Sequence, residues 1–522
     1  MGVLRPRRRG AGAPAILVAL GAIAALGCGR DAAVQRLLTG PGGRLDPIYD
    51  ATLTYPGTTI ILGGLPYTGV EIEVELEFAD ATLRDPDPAY AATARVHRVS
   101  AGGVDQPFQV EGPLDVQGTL ADGTLTTGLF GPIRVGAADL LPDLQGAVQD
   151  AARQVAGVAR LYGSNEAGSF VAVKRRRYLV AGTDRQGPFG KVAVITVRDD
   201  TQFSVEDDIE VISSDPVARV EDGRPLVINR YNFDNLQGLD PSSGLQTSFQ
   251  YSLGNGANPH DAVILPSAPA AAPAGLAFVT RYEPPYNDVA VMDLEDGSIV
   301  DHVDLTPYAR NPDHLPRADQ ALLHDGLLYV TMEDTDLSFT RFMNGRVVVI
   351  DPILRQPIDV IDLAGQNPFE ALEYSQATGL IYVGLAGIFP GRLAQALTGG
   401  IEVIDPATRQ ARLLVDDDAL GGNVSALALH SADRGYCVVS DASFHNYVKA
   451  FDPTTGEVLG TVFDSASEIA ALATDGDGYL LIGENDFFAP RTLILDAATG
   501  LSVVSLPARL PPFSYAILTR SL

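Results

Sequence analysis

Three short stretches place His, Asp or Glu just behind an Asn-Pro pair: Asn258-Pro259-His260-Asp261, Asn311-Pro312-Asp313-His314 and Asn367-Pro368-Phe369-Glu370. Aligned on one another, they put Asp261, His314 and Glu370 at a single station. Carboxylate oxygens suit Ca²⁺, Mg²⁺ or Mn²⁺, and an imidazole tilts the set toward a transition metal. Gathered at one height of a narrow channel, the three could hold one divalent metal ion and support metal-assisted hydrolysis of a lactone or ester. The same side chains could equally line a water-filled funnel, bonded to their neighbours. Pro at a strand entry removes no needed ladder bond, so Asn-Pro itself requires no chemical role.

A second set is spread over seven loops: TDRQGPFG, NRYNFDN, RYEPPYND, DLSFTRFMNG, GIFPGRLAQ, DASFHNYV and NDFFAPRT. Every loop carries an aromatic residue. Six carry an arginine (Arg185, Arg230, Arg281, Arg341, Arg392 and Arg491), and the seventh carries His445. With Tyr282, Tyr286, Phe342, Phe444 and Phe487 they define a candidate ligand-binding face, because Arg and aromatic rings dominate binding hot spots. A guanidinium can also fork onto a carboxylate that an acidic scaffold would otherwise repel. The competing account pairs each arginine with a local aspartate and uses the rings to fill gaps.

Both sets depend on a repeat. From residue 166 onward a unit recurs: apolar strand, polar turn, Leu/Tyr/Val strand, variable loop, a third strand ending in Asp, tight turn, fourth strand. The strand-ending aspartates are Asp240, Asp293, Asp351, Asp405, Asp452 and Asp496, and KVAVITV (191–197) supplies the third strand of the first unit. Seven units of four short strands, none able to bury itself alone, predict an all-β, seven-bladed β-propeller over 166–522. PPFSYAILT, near the end, reads as an inner strand that closes the ring on the first blade.

Ahead of the ring, VEIEVELEF (70–78) alternates without a fault, which predicts a half-buried strand whose four glutamates form a solvated outer face. Residues 46–135 read as a small β-rich domain. Leu141, Leu144, Val148, Ala152, Val155 and Ala159 recur at helical spacing and predict a linking helix within 136–165. KRRRY (174–178) reads as a solvated basic turn in the ring's first hairpin, and DGDG (475–478) as turn chemistry.

LYVTM (328–332), AFVTR (277–281), IYVGL (381–385) and LVINR (226–230), followed by VVVIDP, IEVIDP and VKAFDPTTGEV, resemble the strands and hairpins of YVTN-type propellers. The resemblance covers the ring and implies its fold. It implies little about activity, since such propellers include surface-layer and secreted binding proteins, with lactonases in a related branch.

Arg5, Arg7, Arg8 and Arg9 precede the apolar run APAILVALGAIAALG, which ends at Cys28. Ala25-Leu26-Gly27-Cys28 resembles a bacterial lipoprotein cleavage box, implying a signal peptide over 1–27, an acyl (palmitate-type) anchor on Cys28 and a tether over 28–45. By the same resemblance, Gly29 implies an outer-membrane address, facing the periplasm or the surface. The formal charge is −28, and losing four arginines makes it more negative, so nucleic acid is excluded as a partner. The chain has no Trp, no Cys-x-x-Cys-His haem motif, no Gly-x-Ser-x-Gly elbow and no phosphate-cradling loop. Cys437, in GYCVVS, reads as a buried inert thiol. Three classes remain: a non-catalytic binding module for a peptide, glycan or partner protein at the arginine-rich face, a metal-assisted hydrolase, and a structural envelope lipoprotein. The composition and the loops favour the first.

Overall fold

In the computed structural model, the described residues are 47–79, 89–149, 154–162, 167–198, 201–265, 275–391 and 393–519. The expected signal peptide, Cys28 and the expected tether lie outside them. Almost every described element is a strand, the one α-helix among them being the single turn Asp417–Leu420.

The amino-terminal strands form a closed barrel. Eight antiparallel strands (Ile48–Leu62, Leu65–Phe78, Ala89–Ala101, Leu114–Ala121, Thr124–Thr127, Pro142–Gln149, Gln154–Leu161 and Ala167–Lys174) pair in a cycle that returns to its start between the second and third. Closure removes the exposed edges that a sheet would otherwise present for aggregation. Val70, Ile72, Val74, Leu76 and Phe78 are all buried in the barrel core beside Leu53, Val155 and Phe170. The alternation of VEIEVELEF therefore holds as a strand, but its glutamates are not merely solvated. Arg98 binds Glu71 (2.5 Å) and Glu73 (2.8 Å), Arg95 binds Glu75 (2.5 Å) and Glu77 (2.8 Å), and Arg175 binds Glu75 (2.7 Å).

The expected linking helix is two barrel strands instead. A spacing of four residues satisfies period two as well as it satisfies a helical turn, so Leu144/Val148 and Val155/Ala159 fit either. The strand explains what the helix leaves unexplained: Pro142, Leu144 and Gly146 alternate inward, and Gly146 lies opposite Gly157. A Cβ on Gly157 would sit 2.1 Å from the Gln145 carbonyl oxygen, an approach only glycine permits. The β-rich domain thus runs to Lys174 rather than 135, and the ring begins at Arg176.

Seven four-stranded antiparallel sheets follow. In blade 1 the inner strand is Pro512–Ile517, from the far end of the chain, paired to Arg176–Gly182. The inner strands of blades 2 to 7 are Pro216–Glu221, Pro259–Leu265, Ala318–His324, Pro368–Ser375, Asn423–Leu429 and Ile469–Thr474. The recurrent aspartates have a local cause. Each carboxylate accepts the backbone N–H two or three residues on, as in Asp293 to Glu295 (2.9 Å), Asp405 to Ala407 (2.9 Å) and Asp452 to Thr454 (2.7 Å), closing the turn to the fourth strand.

KRRRY is not a solvated hairpin turn but the junction of the two domains. Lys174 pairs with Asp477 of the blade 7 hairpin, and Arg175 with Asp50 and Glu75 of the barrel. Arg176 stacks 4.1 Å over Tyr479 near Asp475, whose carboxylate also accepts the Tyr178 hydroxyl at 2.7 Å. Removing one partner of a buried ion pair costs about 3–5 kcal/mol, because the other charge stays buried. Arg175→Ala is expected to lower stability by about that much in urea melts read by tyrosine fluorescence. Arg134→Ala, breaking the exposed Arg134–Asp139 pair, is expected to leave the urea midpoint nearly unchanged.

Candidate functional site at the mouth of the ring

The loops between second and third strands and the starts of the inner strands meet at one end of the ring. A cavity of about 570 Å³ opens there, walled by Arg185, Arg230, His260, Phe369, Phe389, Phe444, Glu468 and Phe513, with Ser425, Ser440 and Asn446. Phe513 comes from the closing strand, so the two ends of the propeller chain meet in this wall. The Arg185 guanidinium lies 4.1 Å over the Phe513 ring and that of Arg230 5.7 Å from it. Arg230 is buried and donates to Asp215 at 2.8 Å. Among the described residues the one carboxylate that Arg185 reaches is Glu468, at 3.4 Å, and both side chains are about half exposed (49% and 51%). Phe444 is 55% exposed. Arg185 (φ 53°) and Phe444 (φ 61°) both hold left-handed backbone, a conformation that costs a non-glycine residue of order 1 kcal/mol and is kept where the surroundings impose it.

His260 lines the same cavity, stacked on Tyr282 (centroids 4.1 Å apart, planes 2° apart). Its Nδ1 lies 2.6 Å from Asp319 Oδ1 and its Nε2 3.2 Å from the Asn258 amide nitrogen. The tautomer with its proton on Nδ1 donates to Asp319 and accepts from Asn258 at Nε2.

Below the mouth, the central channel encloses about 260 Å³. Arg219 donates to Asp261 (2.7 Å) and to Gln320 (2.7 Å), and Asp261 also accepts the N–H groups of Ala262 (2.9 Å) and Ala321 (3.0 Å). Glu221 and Glu373 line the channel too. Burial, reinforced by the Asp261 charge, pushes the Glu221 carboxyl up to about 8, and burial pushes Glu373 up to about 7.

The expected Asp–His–Glu station is not assembled. The N–H of Asp261 donates to Thr280 (2.9 Å) and that of Gln320 to Thr331 (2.8 Å), so Gln320, not His314, occupies the equivalent place. His314 lies on an exposed turn (φ 55°) ahead of the inner strand, where Asn311 is buried and bonded to Leu315 and Asp334. The Asn-Pro pair serves a turn in blade 4 and a strand entry in blades 3 and 5. Glu370 lies in the inner strand of blade 5, and its side chain is outside the described set. Among the described residues no group of three or more His, Cys, Asp or Glu is placed to hold a metal ion.

The arginine-rich loops divide. Arg281 is buried and forked onto Asp288 (2.7 and 2.6 Å) under the Tyr286 ring, and Tyr282 is buried with its hydroxyl on Glu333 (2.6 Å). Arg491 pairs with Glu484, and His445 with Asp464 (3.0 Å). Arg341 is exposed and Phe342 half-buried. Phe487 is exposed beside Phe488 (91% exposed), both apart from the cavity wall. Arg392 lies outside the described residues. Of the expected face, Arg185, Arg230 and Phe444 line the cavity.

Sequence reasoning missed Arg219, Glu221, Glu373 and Phe513. A signal existed for the first two: Arg219 and Glu221 sit two apart on an inner strand that is otherwise apolar, which puts two charges on one face where none is required. Cys437 is buried, its thiol pushed up to about 12 by that burial.

No protein-family model and no curated protein matches the chain. Solved structures of similar shape include hydrazine synthase of Kuenenia stuttgartiensis (14% identity, TM-score 0.41, 64% of this chain and 97% of that one). A Bacteroides fragilis protein provisionally assigned as a 6-phosphogluconolactonase is similar over 66% of this chain and 98% of its own, at 13% identity and TM-score 0.45. Apo AztD of Citrobacter koseri is similar over 91% and 98%, at 11% identity and TM-score 0.35. Likeness at this level extends no further than the fold.

The channel carboxyls set a pH dependence. Glu221 and Glu373 hold their protons more tightly folded than unfolded. The stability they contribute is therefore complete below the usual glutamate pKa and is lost as pH rises through about 7 and 8. Between pH 6 and 9 the ring is expected to lose stability on the order of a few kcal/mol. Glu221→Gln/Glu373→Gln should flatten that loss in urea melts across the pH series.

Proposed function

We propose that this protein is a non-catalytic binding module that takes an acidic, aromatic-bearing segment of a peptide or partner protein into the mouth of its ring. The observation that carries the reading is Arg185: a half-exposed guanidinium stacked on Phe513, beside exposed Phe444, held by one long contact in a cavity of about 570 Å³. That volume lies in the range of small-ligand sites, and a carboxylate arriving at Arg185 could replace Glu468 with a forked pair. Strained backbone at Arg185 and Phe444 favours a role for both side chains beyond filling space. The reading includes an address: acyl chains on Cys28 hold the propeller at the outer membrane.

The test uses the full chain in detergent and saturation-transfer NMR with N-acetylated dipeptides Phe-Glu, Tyr-Asp and Tyr-Lys. The acidic members are expected to bind, and Arg185→Ala and Phe444→Ala each to weaken them at least tenfold, about 1.4 kcal/mol. Binding indifferent to both substitutions, or no binding by any member, rejects the proposal. The anchor is tested separately: cells fed labelled palmitate are expected to label the wild type and not Cys28→Ser.

A further inference from the structure

A second cleft lies at the other end of the ring, where first and second strands reverse and the barrel is clasped. It encloses about 670 Å³ between the barrel and blades 1 and 2. Its barrel wall is acidic but internally compensated, since Glu75 and Glu77 are bound by Arg95 and Arg175. Its propeller wall is different. Arg177 pairs directly across from Thr196 on the adjacent strand, and Arg198 lies two residues beyond Thr196, so all three project from one face of blade 1. All three line the cleft.

Arg177 is the one member of its run of four cations without a clasp partner. No side-chain hydrogen bond or ion pair is made by Arg177, Thr196 or Arg198 among the described residues. Burial, with the like charge of Arg175 beside it, lowers the Arg177 pKa against the more distant pull of Glu206, Glu77 and Glu75. A half-buried guanidinium with no carboxylate at ion-pair distance leaves its donors open, and an anion supplied from outside fills them.

We propose that this interdomain cleft is a binding site for the oxyanion head, phosphate or carboxylate, of a small molecule. Arg177 and Arg198 bind the head and the Thr196 hydroxyl donates to it. Cross-strand and diagonal neighbours stand roughly 5 and 7–8 Å apart at Cβ, a spacing from which two long guanidinium side chains converge on one head group. The cleft is far larger than an inorganic anion, so the body of the ligand extends along Ala91, Asp115 and Pro241.

The test follows thermal melting of the full chain in detergent, titrated with inorganic phosphate, with citrate, or with sodium chloride at matched ionic strength. Phosphate or citrate is expected to raise the wild-type Tm beyond chloride, and whichever acts at the lower concentration identifies the head as phosphoryl or carboxylate. Arg177→Met is expected to need at least tenfold more anion for the same shift. Arg198→Ala, changed at an exposed position, decides the matter if Arg177→Met does not fold: its unliganded Tm should be unchanged and its anion response weakened likewise. No shift above chloride for either anion in the wild type overturns the proposal. So does a full response in Arg198→Ala together with either a full response or a failure to fold in Arg177→Met.

Discussion

Four consecutive cations, Lys174 to Arg177, hold this molecule together, and each is sent to a different place. Lys174 goes to the blade 7 hairpin, Arg175 to the barrel, Arg176 to Tyr479 and the Asp475 turn, and Arg177 to the cleft between the domains. The clasp spans the point where the ring must close, since blade 1 takes its second strand from just after these residues and its inner strand from Pro512–Ile517. Charge makes this junction specific. A hydrophobic seam would tolerate sliding, whereas a buried cation displaced by one residue loses its carboxylate and keeps its desolvation cost.

Closure has a second consequence. A four-stranded blade has two apolar faces and buries neither alone, so the ring is stable only when all seven are packed and the seam is sealed. The sealing strand is also the one that carries Phe513 into the mouth cavity. The residue over which Arg185 stacks therefore becomes available only with the ring complete, and the site and the fold share one closing step.

The protein is strongly acidic, yet most of its described arginines are paired internally, on the barrel glutamates, on Asp288 and Glu484, and on the channel aspartate. Against this pairing, Arg177 at the cleft makes no ion pair among the described residues, and Arg185 at the mouth makes a long one, to Glu468 at 3.4 Å. The channel between them is tuned in the reverse sense, with two carboxyls kept protonated toward neutral pH around a single Arg219.

The sequence by itself determined the seven-unit ring, its all-β class, the closing strand and the inward face of Val70 to Phe78, because each is written in local periodicity or in turn residues such as the strand-ending aspartates. It also marked the loops that surround the mouth. Periodicity failed where two periods coincide, at Leu144/Val148 and Val155/Ala159, and only the pairing of Gly146 with Gly157 made those residues barrel strands. Which charges meet was decided by tertiary structure alone. Arg219 finds Asp261 and Gln320, KRRR finds a turn some three hundred residues away, and His314 misses the channel, because the number of residues between an Asn-Pro pair and the strand after it differs from blade to blade. A local pattern fixes the face on which a side chain lies, but its partner depends on register between segments that are remote in the chain.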